Sequence, residues 1–346
     1  MGRWPFLLAV RYHGVGQVHV EDMSRPVCGP GQVLVKVVYA GICGSDLHIF
    51  RKGMFVSTIP EIMGHEFSGV VEQVGPKVIT LQPGDQVVGD PRVSCGTCAW
   101  CRTGAYNLCP NLGFIGEVRP GCFAEYLVLN ANKLIKVPAS VPLRRAALVE
   151  PLAVALHIAG KGRLEQAEHL GIVGAGPIGI LTVLVAQTMQ VKRVTVIDIA
   201  EERLALAGRL GATVLSAFPA GQDDQPDVVV EAVGVEPTLA GALVWLRPRG
   251  RLVMAGLYEE KINIDPNDIV VKELELVGVS AYETADLQQA VELVAKGEMD
   301  VEQVVTHVLP LTSAPEAFAL LASGDKKAGK ILLTPREKGE ENGPGR

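Results

Sequence analysis

The run Gly174-Ala175-Gly176-Pro177-Ile178-Gly179 follows an apolar stretch with strand character, His169–Val173, and opens one with helical character, Pro177–Gln190. Glycines at this spacing serve a strand that turns sharply and feeds a helix packed back onto it. The first glycine permits the tight turn, and the third lets helix and strand approach. Such a unit needs neighbours, and they follow. Arg193–Asp198 reads as a second strand and Glu201–Leu210 as a helix, with further strands at Asp227–Glu231, Gly250–Ala255 and Leu274–Val279. Strand and helix in alternation predict an α/β unit with a doubly wound parallel sheet of Rossmann type.

The second glycine leaves the backbone open to close approach, and the helix N-terminus offers unpaired N–H groups and partial positive charge. Gly174, Gly176, Pro177, Ile178 and Gly179 therefore suit the pyrophosphate of a dinucleotide. Asp198, nineteen residues past Gly179, is placed to accept hydrogen bonds from the adenosine ribose. A 2′-phosphate there would meet like charge, which favours NAD over NADP. Arg203 helps frame the adenine side and tempers that preference. Ala255-Gly256-Leu257 and Val279-Ser280 close later strands, at the sheet edge where nicotinamide is expected. A glycine turn without nucleotide is the plainer alternative, and the strand–turn–helix context weighs against it.

Before about Pro151 the pattern changes to short β-branched runs, Gln32–Val38, Phe67–Val74 and Asp85–Val88, punctuated by Gly and Pro. That spacing predicts a compact, mostly antiparallel β unit. Pro5–Val10 reads as a first strand and not a secretion signal, because no small-residue cleavage site accompanies it. Residues 284–333 hold two helices, around Leu287–Ala295 and Pro315–Ser323, and two strands, Val304–Leu309 and Lys330–Leu333. These are expected to return to the first unit. Two units also suit 346 residues, a length beyond one ordinary core. The expected division is 1–152 with 284–346, and 153–283 between them. The charged, Gly- and Pro-rich segment 335–346 is expected to be a disordered tail.

A net charge of -6 gives no footprint for nucleic acid or an anionic membrane. No apolar run approaches the roughly 20 residues of a membrane span. The seven cysteines are an odd number, and Cys95-x2-Cys98-x2-Cys101-x7-Cys109 puts four of them into fifteen positions. Without a signal peptide, that crowding argues for thiolates on a metal in a reducing cytoplasm. Four thiolates in one loop suit structural zinc, which orders a segment (here about 90–112) with little apolar surface of its own. Iron–sulfur clusters also take four cysteines, usually at other spacings.

A second set of ligand types is dispersed: Cys43, His65 with Glu66, and Glu150. Taken singly, each is ordinary. Cys43 suits a buried hydrophobe, His65 a satisfied turn histidine, and Glu150 a helix-start carboxylate. Context shifts the balance, since Cys43 lies in Gly41-Ile42-Cys43-Gly44-Ser45-Asp46-Leu47-His48 and His65 in Gly64-His65-Glu66-Phe67-Ser68-Gly69-Val70-Val71. With the cysteine lobe and the nucleotide turn in this order, the chain from about Val10 to Leu333 resembles the zinc-containing medium-chain dehydrogenase/reductase family. The resemblance implies a chaperonin-10-like (GroES-like) catalytic domain interrupted by a Rossmann domain, with two zinc ions per subunit. Cys43, His65 and Glu150 match ligands of the catalytic zinc, Glu66 an adjacent carboxylate, and the clustered cysteines the structural zinc. Glu150 stands where the cysteine-liganded alcohol dehydrogenases place a third cysteine, which is the pattern of the polyol, L-threonine and butanediol branch. Animal sorbitol dehydrogenases share that glutamate but lack the cysteine lobe. The stretch between Thr213 and Asp227 is shorter than usual for the family.

The resemblance implies oxidation of a secondary alcohol by NAD+. Ser45 would take the hydroxyl proton and pass it through the nicotinamide ribose to His48, which can release it to solvent. A reductase working on aldehydes or ketones would use the same residues. A non-enzymatic nucleotide-binding relative would have lost a ligand, or Ser45 and His48, and a metal-free quinone reductase would lack the lobe and the Gly-His-Glu motif. The branch handles alcohols with a second polar group beside the carbinol. The loop Phe50–Pro60 is expected to line the pocket, with Arg51 or Lys52 either holding that group or facing water. A cytoplasmic homo-oligomer, tetramer or dimer, is the further implication.

Overall fold

The structure, a computed structural model, describes residues 6–221 and 224–335, so the expected disordered tail lies, but for Pro335, outside the described residues. The chain divides into two units. The first comprises Met1–Glu150, Val291–Glu298 and Val305–Arg346, and the second Pro151–Ala290 with Met299–Val304.

The first unit is β-rich because its strands carry β-branched side chains that pack on a pleated surface. Its main sheet runs in the order Leu134–Lys136, Gln86–Gly89, Glu66–Val74, Gln32–Gly41, Lys330–Thr334, Val305–Pro310, and Tyr126–Asn130 also pairs with Gln32–Gly41. All these pairings are antiparallel except the last in the order, Val305–Pro310 with Lys330–Thr334. A hairpin of Phe6–Gly14 and Gln17–Ser24 forms a smaller sheet with Glu61–Ile62. Val33, Val35, Val37, Phe67, Phe123 and Phe318 belong to the core beneath these strands. A core of that kind fixes register, because a slip of one residue would turn the apolar set outward.

The second unit is a six-stranded parallel sheet in the order Thr213–Leu215, Arg193–Ile197, His169–Val173, Val228–Glu231, Arg251–Met254, Glu275–Gly278. This is the doubly wound order, with the switch point beside the first strand. His169–Val173 is buried along its whole length, as a central parallel strand must be. Helix Pro177–Thr188 follows it through the glycine turn. Thr213–Leu215 still forms the sheet's edge although the segment after it is short.

Candidate active site

Strand register brings the dispersed ligand residues together. Cys43 lies two residues beyond strand Gln32–Gly41 and caps helix Gly44–Lys52. Glu66 begins the adjacent strand, directly opposite Gly41, with His65 just before it. A Cβ on residue 41 would stand 2.1 Å from Glu66 Oε2, so only a glycine there leaves room for the carboxylate. One ligand atom each from Cys43, His65 and Glu66 all fall within 4.8 Å of one another. Donors bound to zinc at about 2.0–2.3 Å in a tetrahedron have spacings below that limit. Glu150 is not part of this tight group. It is buried near the start of helix Val149–Gly162, and its charge acts on His65 and on Lys330.

Lys330 heads the strand on the other side of Gln32–Gly41. Its Nζ lies 2.7 Å from both oxygens of Glu66 and 3.0 Å from the carbonyl of Ile42, and both side chains are buried. Burial works against the ammonium, but Glu66 first and Cys43 next hold its pKa above the ordinary lysine value. A buried ammonium with two carboxylate contacts is a compensated charge, and it fixes Glu66 beside Cys43 and His65. Nothing in the sequence marked Lys330, a lone charge at the head of an apolar run.

Asp46 is fully buried, and its Oδ2 accepts a 2.8 Å hydrogen bond from the Cys43 amide. Among the described residues its Oδ1 has no hydrogen-bond partner; neither has His65 Nδ1, 3.8 Å away. Burial favours the neutral imidazole, yet Asp46, then Cys43 and Glu150, push the His65 pKa well above its ordinary value. Two buried, unpartnered polar atoms among acidic groups fit a site that takes a cation. A histidine that ligates through Nε2 directs its Nδ1–H at such a carboxylate. The donor set of thiolate, imidazole and carboxylate therefore fits zinc. Ser45 Oγ lies 3.5 Å from His65 Nε2, and His48 is one turn along the same helix. Glu117, also buried, has its carboxyl pushed up to about 7 by burial, with His65 opposing.

Arg51 sits within helix Gly44–Lys52, and it donates to the carbonyls of Leu321 and Ala322. It closes the C-terminus of helix Ala314–Ala322, one of the last-turn basic roles that helix ends favour.

The four sulfurs of Cys95, Cys98, Cys101 and Cys109 also fall within 4.8 Å of one another. Amides of Cys95, Cys98 and Cys101 each donate to a neighbouring sulfur at 3.4 Å. Between residues 95 and 112 the only buried hydrophobic side chains are Cys101 and Cys109, while Trp100 and Leu108 are exposed. The lobe has no apolar core, and its four sulfurs fit a closed tetrathiolate site of the kind that orders such a segment. A cavity of about 490 Å³ in the same unit, walled by Met23, Asp90, Arg92 and Lys133, contains none of these ligand residues.

In the second unit Gly174 has φ +101, a conformation open to glycine, and a Cβ on Gly179 would stand 1.9 Å from the Gly174 carbonyl oxygen. A Cβ on Gly176 would meet nothing within 4 Å, so the turn is open where a phosphate would approach. Asp198 accepts from the Ala175 amide at 2.7 Å and from the Ala200 amide at 2.8 Å, which ties it to the glycine turn. These geometries fit a dinucleotide. Ala255, Gly256 and Leu257 follow strand Arg251–Met254, and Val279 and Ser280 follow Glu275–Gly278, all at carboxyl ends of the sheet. Glu231 ends a central strand, accepts hydrogen bonds from Val233 N, Gly234 N, Thr238 Oγ1 and Tyr258 Oη, and was not marked in the sequence.

Two family descriptions match the chain: alcohol dehydrogenase GroES-like domain over residues 29–139, and zinc-binding dehydrogenase over 177–296. The chain belongs to the zinc-containing medium-chain dehydrogenase/reductase family and is an oxidoreductase of that class. Within it, the chain falls in the polyol and diol dehydrogenase branch. It is 34% identical to the sorbitol dehydrogenase of Rattus norvegicus, over 92% of this chain and 93% of that protein. The crystal structure of 2R,3R-butanediol dehydrogenase from Bacillus subtilis superposes with TM-score 0.86 at 31% identity, covering 95% and 100% of the two chains. A zinc-binding dehydrogenase from Sinorhizobium meliloti bound to NADP gives 0.88 at 33%, covering 95% and 99%. No helix among the described residues is long and apolar enough to cross a membrane.

Proposed function

We propose that this enzyme oxidises a secondary alcohol bearing a second polar group, such as a vicinal diol or polyol, to the ketone, with NAD+ preferred over NADP+. The observation that carries the reading is the convergence of Cys43, His65 and Glu66 within 4.8 Å in a buried pocket with His65 Nδ1 left unpartnered. Cys43 and His65 hold the catalytic zinc, with a carboxylate from Glu150 or Glu66 completing the set. Cys95, Cys98, Cys101 and Cys109 hold a second, structural zinc. Bound in this way, zinc supplies Lewis acidity that lowers the pKa of a carbinol hydroxyl, and the dinucleotide supplies the hydride acceptor.

The chain's own residues do the rest. Asp46 orients the His65 ring, and Lys330 holds Glu66 in place beside it. Ser45 takes the hydroxyl proton, and His48, on the same helix face, passes it to water. Gly174, Gly176, Pro177, Ile178 and Gly179 cradle pyrophosphate, while Asp198 keeps acceptor capacity for ribose hydroxyls and repels a 2′-phosphate. Arg203 frames the adenine side, and Ala255, Gly256, Leu257, Val279 and Ser280 frame the nicotinamide side. We place the enzyme in the cytoplasm as a homo-oligomer, on the strength of its reduced thiolate sites and its branch. The test is elemental analysis for two zinc ions per chain, together with a turnover screen with NAD+ and NADP+ against diols, polyols, sugar acids and L-threonine. One metal per chain, or no turnover across the panel, would overturn the reading.

A further inference from the structure

Glu117 has no part in the chemistry above, yet its surroundings are those of a site residue. It lies in the segment after strand Gly113–Phe114 and is only 6% exposed. One carboxylate oxygen, Oε2, accepts from the Phe114 amide at 3.1 Å, and the other has no hydrogen-bond partner among the described residues. Three contacts bind this segment to the metal-ligand cluster. The Phe114 ring stands 5.6 Å from the His65 ring. A Cβ on Gly116 would come within 2.6–3.0 Å of Gly64 backbone atoms, so residue 116 lies against the residue preceding His65. The Cys122 amide donates to the Gly64 carbonyl at 2.9 Å. A fourth contact reaches the segment after helix Gly44–Lys52, because the Glu117 carbonyl accepts from the Ser57 amide at 3.0 Å and from its hydroxyl at 3.4 Å.

The free oxygen is not among the buried side-chain atoms left without a partner, so it opens onto accessible space, where a ligand hydroxyl can take the place of water. Among the described residues no donor meets this oxygen, and Glu117 is outside the ligand group of Cys43, His65 and Glu66. We propose that Glu117 reads the substrate's second polar group, its unpartnered oxygen accepting a hydrogen bond from a hydroxyl or amino group beside the reacting carbinol. This inference rests on the dehydrogenase reading and narrows it. It selects neutral and cationic neighbours of the carbinol, and disfavours carboxylate or phosphate at the same place through like charge. A site built to accept from a substrate hydroxyl also discriminates against analogues that lack it.

The experiment compares wild type, Glu117→Gln and Glu117→Leu on 2,3-butanediol and 2-butanol, with zinc content and Tm measured for each protein. Glu117→Leu should lose about 10- to 100-fold in kcat/KM on the diol, chiefly through KM, and less than about threefold on the mono-alcohol. Glu117→Gln keeps a neutral acceptor and should lie between. Equal losses on both alcohols would show a merely structural role, and no loss on the diol would remove the role altogether. If Glu117→Leu does not fold, Glu117→Gln carries the comparison. Should wild type turn over neither alcohol, the dehydrogenase reading is decided by the wider panel of polyols, sugar acids and L-threonine, while calorimetric binding of diol against mono-alcohol still decides on Glu117. Equal affinities of both ligands, in both wild type and Glu117→Gln, would overturn it.

Discussion

The first unit carries two cysteine-bearing clusters built on opposite plans. Cys95, Cys98, Cys101 and Cys109 come from one short segment, hold one another through amide-to-sulfur hydrogen bonds, and have no apolar core beneath them. Cys43, His65, Glu66 and Lys330 come from a helix start and the heads of two strands, and converge only because those strands pair on either side of Gln32–Gly41 in one register inside a packed core. In the lobe four sulfurs gather with no core to hold them. In the other cluster the packed core gathers the ligand types, and can therefore sustain buried charges that a loop could not. Loss of a ligand should accordingly be felt as stability in the first and as chemistry in the second.

The widest separation between the two is expected from His65→Ala. Turnover should fall about 10,000-fold, on the order of 5 kcal/mol of transition-state stabilisation. One of two zinc ions should be lost, while Tm stays near wild type. Retained turnover with both metals present would break the comparison at its centre. Lys330→Ala comes next and crosses the divide. Removing the ammonium leaves Glu66 buried and uncompensated, which costs about 3–5 kcal/mol by precedent for broken buried pairs. Denaturant unfolding should register that loss even in metal-free protein. A loss below about 1 kcal/mol would mean that Glu66 finds another partner.

Legibility in the sequence follows the same divide. The cysteine lobe and the glycine turn could be read directly, because their functional spacing is sequence spacing. Five of the six parallel strands were legible too, each a short apolar run bounded by turn residues, whereas the short edge strand Thr213–Leu215 was not read. Helix Glu236–Trp245 was not marked, being apolar on most sides and lacking the stripe that betrays a surface helix. Lys330, Asp46 and Glu117 escaped for another reason. Lys330 looks like any charge flanking a hydrophobic strand, and Asp46 like any first-turn acid of a helix. Only the register that sets Gly41 opposite Glu66, and the contact of Gly116 with Gly64, gives them meaning.

In the lobe, Cys98→Ala is expected to act mainly on stability. Opening a closed loop of about fifteen residues costs about 3 kcal/mol by the chain-entropy estimate for a cross-link. Limited proteolysis should cut within residues 95–109, and the second zinc should be lost. Turnover per folded molecule, measured well below the unfolding transition, should stay within about threefold. A drop comparable to that of His65→Ala would show that the lobe serves the chemistry directly.

The smallest effect is expected where the two plans differ most subtly, at Asp46→Asn. The amide keeps the shape of the side chain and an oxygen for the Cys43 N–H, but removes the charge that stands 3.8 Å from His65 Nδ1. Outer partners of a ligating histidine are worth about 10- to 100-fold in metal affinity. Competition with a chelator should therefore strip the Cys43–His65 zinc earlier than in wild type and leave the cysteine-lobe zinc at its wild-type affinity. The His65 pKa in metal-free protein should also fall, since Asp46 is the strongest of the groups that raise it, and NMR titration of the ring would follow the change. If both zinc ions weaken together, the clusters are coupled through the fold. If neither weakens, the orphaned Asp46 oxygen serves packing alone, and His65 is oriented by Cys43 and its own strand.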